Sequence, residues 1–363
     1  MKVKDIIDCI EKLAPSEFQE SYDNSGLIIG DAESKVYKAL ICIDVTERVI
    51  EEAIKNKCNL IVSHHPLIFN RINKITNDSS TGRSIIKAVQ HNISVYAAHT
   101  NLDNVLGGIN SIFCKKIGLI NTKILTPRKG ILKKLVTFCP VNKADTVRKA
   151  LFDSGAGHIG NYDSCSYNIN GNGTFRALEN ANPYVGKKGR LHVENEIRIE
   201  TIFPGYLEKD ILKALFKSHP YEEVAYDVYP LDNEFMKAGA GMIGELSKPL
   251  DVNDFLKRIK KIVGCSSIRY SELINLQVKK VAVCGGAGSF LIKDAISAGA
   301  DIFITSDLKY HQFYEVEGRI IIADIGHYES EQIAKEILVD LLSKNFPTFA
   351  ILVSREDKNP VHY

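Results

Sequence analysis

A chain of 363 residues in which 45% are hydrophobic exceeds one typical domain and can fill real cores, and its formal charge of +2, with no basic block, implies no nucleic-acid partner. Eight cysteines without a C-x-x-C pair predict reduced core thiols in a cytoplasmic protein, which argues against a disulfide frame and against a thiolate metal site. The N-terminus lacks the apolar core of a signal peptide and no stretch is long enough to span a bilayer, so a soluble protein without membrane contact is expected.

In chain order, Val3 to Leu13 has the spacing of an amphipathic helix that stops before Pro15. A polar turn, Tyr22-Asp23-Asn24-Ser25-Gly26, leads into Leu27-Ile28-Ile29-Gly30. Strand Ala39 to Ile43, helix Thr46 to Asn56 and strand Leu60 to Ser63 then form a βαβ pattern, for which parallel strands are the expected outcome. The last of these runs ends in His64-His65-Pro66. Past a strand end the chain can turn both imidazoles toward one cleft, where α/β proteins place their sites. A helix from about Gly82 to His91 and a strand from Ser94 to Ala98 come next, and the strand delivers His99-Thr100-Asn101-Leu102-Asp103.

A late stretch repeats this unit. Lys280 to Cys284, helix Ser289 to Ser297 and Asp301 to Thr305 align without gaps on Lys38 to Cys42, helix Glu47 to Lys55 and Asn59 to Ser63. Ile320 to Ala323 then takes the part of Val95 to Ala98. Two βαβ units resemble one another by chance as well. If the repeat is real, each half sends its last strand to one cleft, carrying His99 and Asp103 from the first half and Asp324, His327 and Glu331 from the second.

Between the halves the order changes. Leu135 to Val141, Ser164 to Ile169, Gly173 to Ala177, Arg198 to Phe203 and Val224 to Tyr229 read as strands, with Asn170-Gly171-Asn172 as a turn. Ala144 to Asp153 and Leu207 to Ser218 read as helices, and the order fits a ferredoxin-like α+β module. Thr126 to Gly130 and Lys237 to Gly241 have linker composition. The predicted architecture is therefore α/β: two similar halves, residues 1–128 and 239–363, form one discontinuous domain around an inserted module at 129–238.

The chemistry belongs where unlike ligands converge. His64, His65 and His327 offer imidazoles, and Asp103 and Glu331 offer carboxylates. If the segment after Gly326 opens the last helix, running to about Leu342, His327 and Glu331 are i and i+4 and share a face. Three imidazoles and two carboxylates suit two borderline divalent ions with one carboxylate bridging, and the absence of thiolates points to a centre with open positions. Taken singly, a His-His pair is also a common loop or core feature, and a His–Glu pair at helical spacing is also a surface contact.

Five motifs, Tyr22 to Leu27, Ser63 to Phe69, Ala98 to Asp103, Gly285-Gly286-Ala287-Gly288 and Asp324 to Glu331, together closely resemble the dinuclear-metal-centre hexameric proteins known as GTP cyclohydrolase 1 type 2 homologues. The resemblance covers essentially the whole chain, in the long form of that family with a PII/CutA-like middle module. It implies a toroidal homohexamer with two divalent ions per subunit (zinc, iron or manganese) on His64, His65, Asp103, His327 and Glu331, with Glu331 as the bridge. The implied activity is hydrolysis, with a nucleotide or other small molecule as substrate; the alternative is a non-catalytic metal-binding or regulatory assembly whose ions hold the two halves together while the middle module binds a small ligand or a protein partner. His99, close to Asp103 but outside the ligand set, is the candidate general acid/base, and His311 the weaker one; a histidine that only orients a ligand is the alternative for both. Gly285 to Gly288, after a strand, offers a possible phosphate cradle without the P-loop lysine.

Overall fold

The structure, a computed structural model, describes residues 1–274 and 276–362. It divides into two compact units, one made of Met1–Pro127 with Met236–Tyr363 and the other of Arg128–Phe235.

The first unit contains two sheets of matching design. In the first, Gly26–Ile29 lies antiparallel to Ser94–Ala97, and beyond it in space come the parallel strands Leu60–Ser63, Lys38–Cys42 and Ala350–Val353. In the second, Arg269–Tyr270 lies antiparallel to Ile321–Asp324, and beyond it come Ile302–Thr305 and Gln277–Val283, again parallel. Phe235–Asp251 and Leu119–Arg128 complete that sheet. The repeat read from the sequence is thus present in the topology.

One detail of that repeat is corrected. Ile61 pairs with Val95 and Phe303 with Ile322, so Val95 corresponds to Ile322 and not to Ile320. In this register the short helices Thr100–Asn104 and His327–Glu331 start at equivalent positions. The halves also interlock. The strand Ala350–Val353 of the late half joins the first sheet, and Leu119–Arg128 of the early half joins the second.

Local sequence explains most elements. The strand Leu60–Ser63 is buried at every position, as expected for a parallel strand covered on both faces. Helix Val3–Leu13 buries Val3, Ile6, Cys9 and Ile10 along one stripe. Helix Glu47–Lys55 is capped by the Thr46 hydroxyl, which accepts from the Val49 amide. Helix Val252–Val263 begins at Asp251, whose carboxylate accepts two amide N–H groups, and ends at Gly264 in the left-handed conformation.

The segments with linker composition are largely strand: Thr126 to Arg128 ends Leu119–Arg128, leaving Lys129-Gly130 as a bend, and Lys237 to Gly241 lies within Phe235–Asp251. A Cβ on Gly239 would come within 2.1 Å of the Thr126 carbonyl, so this glycine serves close strand approach. The last helix is interrupted at Gln332, giving His327–Glu331 and Ile333–Asn345.

The second unit has the βαββαβ order of a ferredoxin-like module. Its antiparallel sheet runs Tyr167–Arg176, Leu191–Pro204, Leu132–Pro140, Tyr226–Pro230. Helices Ala144–Asp153 and Glu208–Ser218 bury Val147, Leu151, Ile211 and Leu215 against Leu135, Cys139, Ile199 and Phe203. The expected turn at Asn170-Gly171-Asn172 is absent. Those residues pair with Ile197, Glu196 and Asn195 in one continuous strand, and the chain reverses later, between residues 177 and 190. Cross-strand pairing outweighs local turn chemistry here.

Candidate metal centre

Three elements of the first unit end at one chamber. His64 and His65 come directly after the strand Leu60–Ser63, Asp103 lies on helix Thr100–Asn104, and His327 and Glu331 lie on helix His327–Glu331. The Oε2 atom of Glu331 is the hub. It lies 2.8 Å from His65 Nε2, 2.9 Å from His327 Nε2 and 3.6 Å from His64 Nε2. Asp103 Oδ1 is 3.8 Å from His64 Nε2. All five residues named for the ligand set are therefore brought together. Two triplets, His65/His327/Glu331 and His64/Asp103/Glu331, have donor atoms close enough to hold an ion each, and Glu331 belongs to both.

The imidazoles share one mode of support. His64 donates from Nδ1 to the Ala98 carbonyl at 2.8 Å. His65 Nδ1 is held by Asp44 at 2.8 Å, His327 Nδ1 by Asp307 at 2.7 Å, and His99 Nδ1 by Asp23 at 2.7 Å. Fixing Nδ1 aims each Nε2 inward and raises its basicity, the usual arrangement behind histidine ligands of metals. Asp23 is itself over-determined, because its other oxygen accepts from the amide and hydroxyl of Thr100. Burial would raise the Asp23 carboxyl, but the bonds from His99 and Thr100 outweigh it and hold it well below the usual range.

The charge distribution also fits a cation. Burial would raise Glu331, yet His64, His327 and His65 around it hold its carboxyl well below the carboxylate range. Burial lowers His64, whereas His65 is pushed up to about 10 and His327 to about 9, because contacts with Glu331 and with Asp44 or Asp307 outweigh their burial. Asp103 is shifted well upward by burial and by the neighbouring Glu331 charge. His64 Nε2 and Asp103 Oδ1 are buried without a hydrogen-bond partner, a condition that costs about 1–3 kcal/mol for each such group. A divalent ion would accept the lone pairs of both orphaned atoms at once, so the residues present fit the group that the sequence implied.

Several expectations are corrected. Asp324 does not enter the chamber: it is buried against Arg269 and the amides of Leu308 and Gly326. His311 lies exposed on the turn Tyr310–Phe313, edge-on to Tyr310. The glycine loop does not stand open as a phosphate cradle, because three of its four amides are already engaged: Gly285 with Asn110, Gly286 with Ser330 and Gly288 with Thr305. The use of Gly286 is steric, since a Cβ there would come within 2.2 Å of Glu331 Oε1. His99 sits closer than the sequence suggested, with a ring nitrogen within ligand range of His64 and His65.

Asp44 and Asp307 were missed as supporting residues. Both lie two positions past a strand end, at Cys42 and Thr305, where a carboxylate reaches the same cleft. Replacing either by alanine is expected to weaken metal binding roughly 10–100-fold without unfolding the protein, since such supports orient a ligand and do not supply one. Titration with a competing chelator checks this, and Asp307→Ala should act through His327 alone.

The model of the Duf34/NIF3 (NGG1p interacting factor 3) family matches residues 1–360. The chain belongs to this family. Among its relatives, the GTP cyclohydrolase 1 type 2 homolog of Halalkalibacterium halodurans is 40% identical over 342 residues, covering 93% of this chain and 91% of that protein. The homolog of the same name from Bacillus subtilis is 38% identical over 361 residues, covering 98% and 96%. Of the solved structures, a Bacillus cereus protein related to NIF3 is similar with a TM-score of 0.87 at 38% identity, over 100% of this chain and 99% of that one. Staphylococcus aureus protein SA1388 is similar with a TM-score of 0.78 at 27% identity, over the same shares. The chain itself is α/β with an inserted module. No helix among the described residues is long and apolar enough to cross a membrane.

Proposed function

We propose that this NIF3-family chain is a metal-dependent hydrolase whose two divalent ions, zinc, iron or manganese, are held by His64, His65, Asp103, His327 and Glu331. The observation that carries the reading is the sharing of Glu331 by two ligand triplets in a chamber that opens to a cavity of about 450 Å3. Divalent ions supply Lewis acidity to an electrophile and make water acidic enough to attack near neutral pH.

The chain's own residues then have separate tasks. Asp44 and Asp307 hold His65 and His327 in the ligand tautomer. Tyr22, Phe69 and Phe290 form apolar walls suited to a planar ring, and Glu20, Asp44 and Asp103 add carboxylates to the lining. Among the described residues no lysine or arginine lines it, so a nucleotide would bind by its base and rely on the ions for its phosphates. His99, braced by Asp23 at the cavity wall, is the group placed to move a proton between substrate and solvent.

A second reading rests on the origin of the ligands. They come from both α/β halves, so ions here would also tie the halves together, as a regulatory or scaffolding assembly requires. Replacement of His99 by glutamine separates the two. The hydrolase reading expects both ions to remain while turnover of the substrate found by screening GTP, phosphoesters and cyclic amides falls by about 10²–10⁴-fold. Unchanged turnover would remove His99 from the chemistry, and loss of an ion would make it a ligand. Assembly as a homohexamer is part of the same reading, supported by the motif resemblance, and a cytoplasmic location is supported by eight free cysteines, seven of them buried.

A further inference from the structure

The second unit has a cavity of its own, of about 440 Å3. It lies on the sheet face opposite the two helices. Ile197 and Ile199 point into the helix-covered core, so by alternation Glu196 points away from it. Phe175, Tyr184 and Tyr221 form a continuous aromatic wall, with ring centroids 6.2 Å apart for Phe175–Tyr221 and for Tyr184–Tyr221.

At its base is a carboxylate held in place from two sides. Glu196 lies across Gly173, where a Cβ would meet Oε2 at 2.1 Å, so the bare glycine makes its seat. The Tyr221 hydroxyl donates to Glu196 Oε1 at 2.8 Å, fixing the carboxylate beside the aromatic wall. Neighbouring acids are committed elsewhere: Glu194 pairs with His192, and Glu222 accepts the Asn182 amide. No cationic side chain among the described residues pairs with Glu196. Arg176, which also borders the cavity, is one residue beyond Phe175 on the strand and so projects from the other face.

A half-buried carboxylate without a cation partner, in a cavity lined by three aromatic rings, suits one chemistry. Alkylated ammonium groups are attracted both to carboxylates and to ring faces, and they shed water more readily than metal ions do. We propose that this cavity binds a small organic ammonium ion, its charge against Glu196 and its alkyl surface against Phe175, Tyr184 and Tyr221. The site is independent of the metal centre and of the hydrolase reading, since every residue in it lies within Arg128–Phe235.

The test uses the full chain and ligand-observed saturation-transfer NMR with three probes: choline, its neutral isostere 3,3-dimethylbutan-1-ol, and n-butylammonium. Saturable binding of choline or butylammonium is expected, with the neutral isostere weaker by about tenfold or more, as loss of a partly desolvated cation–π and ionic contact implies. The pattern among the cations distinguishes a quaternary from a primary ammonium ligand. Glu196→Gln is expected to weaken the preferred cation about tenfold while metal content stays unchanged. Tyr184→Ala, on an exposed segment outside the strand that carries Glu196, should weaken it through the aromatic wall alone. Equal binding of the neutral isostere, unaltered binding by both variants, or absence of saturable binding by either cation would overturn the proposal.

Discussion

Glu331→Gln is expected to yield protein with at most traces of bound metal, against about two ions per chain in the parent. Both triplets that include a carboxylate contain Glu331, and Asp103 and His327 each belong to only one of them; the third group, His64/His65/His99, is made of imidazoles alone. The amide keeps the shape but loses the charge that attracts the cations and the second basic oxygen that lets one carboxylate serve two ions. Asp103→Asn, from the single triplet His64/Asp103/Glu331, is expected to lose one ion and keep the other. Elemental analysis of both variants beside the parent reads this stoichiometry directly. The Glu331→Gln variant should still fold, but at a cost. His65 and His327, whose Nε2 atoms are 3.3 Å apart, lose the buried carboxylate that both contact, and removal of one partner from such a cluster costs about 3–5 kcal/mol. Equal loss of metal in Asp103→Asn and Glu331→Gln would mean that the two ions bind as one unit, without the division the two triplets describe.

Gly286→Ala is the second large effect, and it comes from a residue with no functional group. The backbone at Gly286 has φ of +64°, where an alanine is strained by about 1–2 kcal/mol. Its new methyl carbon would sit 2.2 Å from Glu331 Oε1, too close for either atom to stay. Glu331 is buried and held by three imidazoles, so it has little room to retreat without giving up a ligand bond. A fall in metal affinity of roughly 10–100-fold is expected, similar to loss of a supporting residue, with thermal stability lower by several degrees. Gly130→Ala, also at positive φ but with open space around its Cβ position, is the control: it carries the backbone strain without the collision and should leave metal binding unchanged.

The five residues that meet in the chamber were legible in the sequence because each sits close after an apolar run of plain strand character. Leu60 to Ser63 has the length and β-branching of a buried strand, and the residues directly after such a strand emerge at the cleft. The repeat was legible for the same reason, while its last strand slipped by two residues because Ile320-Ile321-Ile322 offers several equivalent registers; only the pairing of Phe303 with Ile322 decides among them. The supports were harder to find. Asp44 and Asp307 are single acids among many, and their role depends on a tertiary contact with one imidazole nitrogen that no spacing encodes. Gly286 looked like a phosphate turn because glycine's local signal is the same whether it clears space for a ligand or for a neighbouring side chain. At Asn170-Gly171-Asn172 a local turn signal lost to ten paired residues along one strand, and at Lys237 to Gly241 glycine-rich composition concealed a strand that needs its glycines for close approach.

The measurement that tests the central claim most directly is elemental analysis of the protein purified without added metal, and again after metal stripping and reconstitution with zinc, manganese or ferrous iron. The account predicts about two ions per chain, retained through gel filtration and absent from Glu331→Gln. A parent protein that holds no divalent ion after reconstitution, or that holds only as much as the Glu331→Gln variant, would contradict it.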